Sequence, residues 1–209
     1  LLEWAIEQGL TGLEFSSGVP GTIGGGIYMN AGTKYGCYGD ILKELRVFDF
    51  KQGARTLQRE SLNFGYREQD AVKDSLVVWA VFELRKGDSV EIRAEVNRII
   101  AERAAKQPLD YPSCGSTFKN PPGYSAGRLI EKAGLKGLSV GGAQVSEKHA
   151  NFILNKNKAS ATDILSLIDT IKARVKADSG VLLECEVIVL GETSRDAGLE
   201  KSLPEGRVY

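Results

Sequence analysis

A chain of 209 residues with 42% hydrophobic content holds enough apolar material for one large domain or two small ones. Its 27 basic and 27 acidic residues cancel, leaving no net field to draw it to nucleic acid or an anionic membrane. Cys37, Cys114 and Cys185 are scattered and His149 is the single histidine, a usage that fits a reducing compartment and gives no regular metal-ligand spacing. No apolar run approaches the roughly 20 residues that span a bilayer, and no signal peptide is visible. The expected setting is the cytoplasm, with no metal, nucleic-acid or membrane partner.

The chain opens on an apolar pattern from Leu1 to Gln8 that suits a helix, with Gly9 as its stop. Because residue 1 is Leu and the single methionine is Met29, a further segment is expected upstream. Next comes Ser16-Ser17-Gly18-Val19-Pro20-Gly21-Thr22-Ile23-Gly24-Gly25-Gly26-Ile27-Tyr28-Met29-Asn30-Ala31-Gly32, in which six residues are glycine. So little side chain leaves backbone N–H groups open to close approach, and a diphosphate-bearing cofactor is the natural guest. A purely structural loop is the competing reading. The spacing meets neither the Rossmann nor the P-loop signature.

Glu44 to Phe50 is rich in β-favouring residues, and Lys51-Gln52-Gly53-Ala54 predicts a hairpin turn into Arg55-Thr56-Leu57-Gln58. Phe64-Gly65-Tyr66-Arg67 then sets a guanidinium beside two aromatics, suited to a bidentate grip on a carboxylate or, alternatively, to a surface salt bridge. Ser75 to Leu84 predicts a buried strand. Asp88 and Glu91 have capping-box spacing for a helix to about Lys106, with Val90, Ile92, Val96, Ile99 and Ile100 as its apolar side.

Gln107-Pro108-Leu109-Asp110-Tyr111-Pro112 breaks that helix and marks the expected boundary between a domain over 1–106 and another over 107–191. Ser113-Cys114-Gly115-Ser116-Thr117-Phe118-Lys119-Asn120-Pro121 follows, and as an extended segment it turns Ser116, Phe118 and Asn120 one way. A serine there can donate a proton if a nearby Lys stabilises its conjugate base, or it can simply satisfy a turn. Ser125 is set to cap a short helix to Ala133, and Asn151 to Asn155 predicts a short strand. Ser160 to Asp178 is the clearest helix, with Ile164, Ile168, Ile171 and Val175 on one stripe and Gly180 as its stop.

Val181 to Leu190 predicts a core strand whose alternation sets Glu184 and Glu186 opposite a wholly apolar face. If that second face is covered, a carboxylate there needs a cationic or hydrogen-bonding partner. An edge position with both side chains in water is the other possibility. Residues 192–209 form a polar tail. The mixture of helices, a hairpin and isolated strands predicts an α+β fold rather than a doubly wound parallel sheet.

Taken together, Gly18 to Gly25, Met29-Asn30-Ala31-Gly32, Phe64 to Arg67, Pro112 to Pro121, Ala126 to Ile130, Lys148 to Ile153 and Leu183 to Val187 form ordered blocks along nearly the whole chain. This pattern resembles the flavoenzyme family of UDP-N-acetylenolpyruvylglucosamine reductases of bacterial cell-wall synthesis. It is similar to the shorter form, with no room for an extra substrate-covering loop between Arg67 and Ser116. The resemblance implies the second half of a two-lobed FAD-binding fold, followed by a small α+β substrate-binding domain, the first flavin-binding lobe lying upstream.

It also implies NADPH- and FAD-dependent reduction of UDP-N-acetylglucosamine enolpyruvate to UDP-N-acetylmuramate. Arg67, Ser116 and Glu186 match the catalytic residues, with Ser116 as proton donor. Gly18, Pro20, Gly21, Thr22, Gly24, Gly25, Asn30, Ala31 and Gly32 match the flavin cradle. Lys119, Asn120 and His149 match substrate-contacting positions. A non-catalytic nucleotide-sugar binding fragment is the alternative; a carbohydrate oxidase is disfavoured, since no His or Cys near the glycine loop offers covalent flavin attachment.

Overall fold

The computed structural model describes residues 1–191, and the polar tail expected over 192–209 lies outside the described residues. The fold mixes helices with small sheets, and each strand pairing is antiparallel, as an α+β chain requires. In the first half, α1 (Leu2–Glu7) and β1 (Leu10–Thr11) lead through the glycine loop into α2 (Ile23–Tyr28). The short strands β2 (Gly32–Thr33) and β3 (Gly36–Cys37) and one helical turn, α3 (Tyr38–Ile41), precede the main sheet.

In that sheet β4 (Leu42–Asp49) lies between β5 (Gly53–Gln58) and β8 (Ser75–Phe82). The hairpin forms at the predicted turn, with Asp49 facing Gly53. Between β5 and β8 the chain inserts a second small hairpin, β6 (Phe64–Gly65) and β7 (Glu68–Gln69), whose two-residue tip is Tyr66-Arg67.

Leu45 and Val47 point into a core with Phe15, Ile27, Tyr38, Leu62 and Val72. The expectation of a buried strand from Ser75 to Leu84 is corrected on its second face. Leu76, Val78, Trp79 and Val81 are exposed, because among the described residues only the inner face of the sheet is covered. An apolar run at every position says that a strand could be covered twice, not that it is.

The strand β9 (Arg85–Lys86) pairs with β1, and α4 (Ser89–Lys106) follows. Asp88 caps α4 by accepting from the N–H groups of Val90 and Glu91. Of the five residues expected on its apolar side, Ile92, Val96 and Ile99 are buried, while Val90 and Ile100 are exposed. One stripe suffices because α4 packs mainly on α1 and the turn before the glycine loop.

The second half surrounds its own core of Phe118, Ile130, Leu135, Ala143, Val145, Leu167, Ile171 and Val175. It comprises α5 (Ala126–Lys132), a sheet of β10 (Ser139–Val140), β11 (Ala143–Val145) and β12 (Ile153–Asn155), and α6 (Ala161–Ser179). Ser160 and Asp163 close a full capping box at the start of α6, and Gly180 ends it in the left-handed conformation. The strand expected over Val181–Leu190 is corrected to one β-bridge, Phe118 with Cys185. Lys119 N–H to the Glu184 carbonyl and Glu186 N–H to the Thr117 carbonyl flank it, both at 2.9 Å. The ladder stops there because its partner is short: Gly115 sits at φ +78° on one side, and Pro121 has no N–H to give on the other.

The two halves meet at the end of α4, where Lys148 donates to the Ala104 carbonyl at 2.6 Å. That bond places a cation on the unpaired carbonyls of the last helical turn.

A candidate active site between the hairpin tip and the last extended segment

Arg67 occupies the second position of the β6–β7 tip with φ +58°, a conformation uncommon for a side-chain-bearing residue. Its Nε donates to Glu186 Oε1 at 2.8 Å, across 119 residues of sequence. Its terminal nitrogens donate to the carbonyls of Asn30 at 3.5 Å and Gly32 at 2.9 Å. The guanidinium lies 5.0 Å from the Tyr66 ring centroid. Both partners of the ion pair are about one-fifth exposed, so the pair is sheltered from solvent screening without being sealed from a ligand. Glu186 therefore has the cationic partner that a covered carboxylate needs.

Ser116 enters the same region through the backbone. Its bridge to Phe152 on one side and the bond between Thr117 and Glu186 on the other set it one step from Glu186 across adjacent extended segments. The shared face expected for Ser116, Phe118 and Asn120 does not persist along the segment. Phe118 is buried in the core, whereas Asn120 is exposed.

Asn151 is what holds this segment. Its side-chain oxygen accepts from Phe118 N–H at 3.0 Å and its amide donates to the Phe118 carbonyl at 2.8 Å, the bonding pattern of a neighbouring strand. Its own carbonyl accepts from Thr117 N–H. Replacing Asn151 with Ala strands two buried backbone groups of Phe118 and is expected to cost about 2 kcal/mol, measured as a lowered urea midpoint. The sequence marks Asn151 as a hydrogen-bonding residue at the start of a short strand, not as the side chain that holds Phe118; an amide's match to a strand edge leaves no pattern along the sequence.

The remaining expected substrate residues divide. Lys119 pairs with Glu184 at 2.5 Å; that hydrogen bond, with Glu68 and Glu186 further off, raises its pKa. Asn120 accepts from Ala126 N–H at the start of α5 and donates to Tyr66 Oη at 3.4 Å, tying the two halves together beside Arg67. His149 lies against Gly127 of α5 and the Phe152 ring, and its Nδ1 accepts from Asn151 N–H at 3.3 Å.

Burial lowers the His149 pKa, Lys136 adding to the effect. The unfolded chain takes up that proton near pH 6.5 while the folded chain resists it, so stability is full above about 6.5 and falls below it. Plotted as urea midpoint against pH, the His149→Gln variant is expected to lose the slope just below 6.5. A slope equal to that of the parent chain would assign it elsewhere.

The glycine loop divides its glycines between two uses. A side chain on Gly26 would run into the Tyr38 ring and one on Gly32 into Cys37, so these two serve close packing. Gly21, at φ +128°, has nothing within 4 Å of a notional Cβ, and Gly25 meets only Thr22 Oγ1, which accepts its N–H at 3.1 Å. Gly18, Pro20 and Thr22 are exposed as well, whereas Gly24, Ala31 and Gly32 are half-covered and Asn30 is buried. On β7, which packs on α2, Gln69 is buried with an amide nitrogen that has no protein partner. Open glycine backbone beside an unspent buried donor fits a cofactor with a polar, phosphate-bearing portion.

Residues 107–190 match the family model described as UDP-N-acetylenolpyruvoylglucosamine reductase, C-terminal domain. The chain is 47% identical over 190 residues to the UDP-N-acetylenolpyruvoylglucosamine reductase of Geobacillus kaustophilus, covering 90% of this chain and 62% of that protein. It is 48% identical over 187 residues to that of Clostridioides difficile, covering 89% and 62%. The crystal structure of UDP-N-acetylenolpyruvylglucosamine reductase from Thermus caldophilus superposes with a TM-score of 0.78 at 37% identity, over 88% of this chain and 66% of that one. The chain thus spans less than two thirds of the length of these relatives.

Proposed function

We propose, for a chain that belongs to the UDP-N-acetylenolpyruvoylglucosamine reductase family, that it forms the substrate-clamping part of a cytoplasmic enzyme that reduces UDP-N-acetylglucosamine enolpyruvate to UDP-N-acetylmuramate for peptidoglycan synthesis. The observation that carries this reading is the Arg67–Glu186 pair, with Ser116 one register step away. FAD, reduced by NADPH, supplies a hydride to the enolpyruvyl double bond when bound; the segments Gly18–Gly25 and Asn30–Gly32 would hold it. We place the second lobe of the flavin-binding fold over 1–106 and the substrate-binding domain over 107–191.

The residues of this chain do the rest. A guanidinium carries five N–H donors, and three of those on Arg67 are spent on Glu186, Asn30 and Gly32. One N–H on each terminal nitrogen is left for the substrate carboxylate. Negative charge that develops on the adjacent carbon spreads into that carboxylate, where a fixed cation stabilises it without reorganisation. Glu186 keeps the guanidinium from turning away. Ser116 Oγ gives its proton to the same carbon, and Lys119, Asn120 and His149 contact the nucleotide sugar.

The test is a protein of the relatives' full length supplied with FAD. NADPH oxidation that depends on the enolpyruvyl substrate supports the reading. Binding of the nucleotide sugar without any such oxidation would favour the non-catalytic alternative.

A further inference from the structure

Asn30 is expected, by resemblance, to touch the flavin, yet its side chain is 6% exposed and turned into the protein. It follows α2 in the left-handed conformation, φ +40°, with Asn30 N–H donating to Ile27 and Ala31 N–H to Gly26, at 3.0 and 2.7 Å. That is a helix C-terminal cap, for which glycine serves as well as asparagine. The cap explains the backbone; it does not explain the amide.

Both polar atoms of that amide are spent on distant segments. Asn30 Nδ2 donates to the Gly65 carbonyl at 2.8 Å, and Oδ1 accepts from Gly39 N–H at 2.9 Å. Gly65 is the last residue of β6 before the Tyr66-Arg67 tip. The carbonyls of Asn30 and Gly32 then receive the terminal nitrogens of Arg67. One three-residue segment thus holds the base of the tip by a side chain and its end by two carbonyls. Arg67 is itself in a left-handed conformation, a state that persists where surrounding contacts over-determine it.

We infer that Asn30 is a positioning residue that aims the Arg67 guanidinium through its grip on Gly65. The inference rests on the proposed role of Arg67 as carboxylate clamp. Bidentate recognition needs the guanidinium held to within about 10–20°, and a two-residue turn at the surface does not provide that alone.

The experiment uses the 15N-labelled chain without ligand and reads the Arg67 Nε–Hε signal, identified by its absence in Arg67→Lys. In the parent chain this proton is bonded to Glu186 and is expected to exchange slowly. Asn30→Gly keeps the cap conformation and deletes only the amide. Its Arg67 Hε is expected to exchange at least about tenfold faster, while the Ala31 amide and the amides of α6 keep their rates. An Hε rate unchanged in that variant overturns the inference. Should Asn30→Gly fail to fold, Asn30→Asp retains the acceptor for Gly39 and loses the donor to Gly65, with the same readout. Failure of both variants to fold would make Asn30 a determinant of the fold and also overturn the proposal. Failure of the clamp reading appears separately, as substrate turnover indifferent to Arg67→Lys.

Discussion

Ser116→Ala, in a protein of the relatives' full length, is expected to lower substrate turnover by about a thousandfold while leaving flavin reduction by NADPH at its parent rate. General-acid groups typically contribute a factor of 10²–10⁴, and Ser116 lies one register step from Glu186, with Thr117, its buried neighbour, directly opposite that carboxylate residue. The two half-reactions separate the role from a fold defect, which would slow both. Stopped-flow absorbance of the flavin measures each: its bleaching by NADPH should be unaltered, and its return on adding substrate should stall. Turnover near the parent rate would remove Ser116 from the proton-donor role.

Arg67 carries the second large effect. With Arg67→Ala, kcat/KM is expected to drop by roughly two to three orders of magnitude, as when one preorganised donor to developing charge is removed. The drop should fall mostly on kcat, because charge on the substrate carboxylate changes during the reaction rather than on binding. Arg67→Lys should rescue little. A single ammonium cannot reach Glu186, the Asn30 and Gly32 carbonyls and a ligand together, as the planar fork does. Folding must be checked alongside, since Glu186 would lose its cation in a half-covered place with Glu184 near by. Steady-state kinetics of a folded Arg67→Lys variant within fivefold of the parent would sink the clamp.

Much of the architecture was legible in the chain because it is local. The box at Ser160 and Asp163, the stop at Gly180 and the turn at Gly53 each involve residues within a few positions of one another. The amphipathic stripes of α4 and α6 are local too, although the sequence overstated α4 by two residues. Arg67, Ser116 and Glu186 each stand out by residue type against a plain structural alternative, and only the likeness to a family joins them into one site.

What the sequence determined by itself is therefore the set of segments: which stretches coil, where they are capped, and which loop is nearly all backbone. The tertiary structure alone decided how far Val181–Leu190 pairs, which face of β8 is covered, that Asn151 stands in for a strand, and that the Asn30 amide turns inward. Helix caps and turns are stabilised by hydrogen bonds across three or four residues, so their signals lie side by side in the chain. Strand pairing and the burial of a charge depend on partners brought together from far along the chain, 67 positions for Phe118 and Cys185 and 119 for Arg67 and Glu186, and no spacing within either segment records which partner arrives.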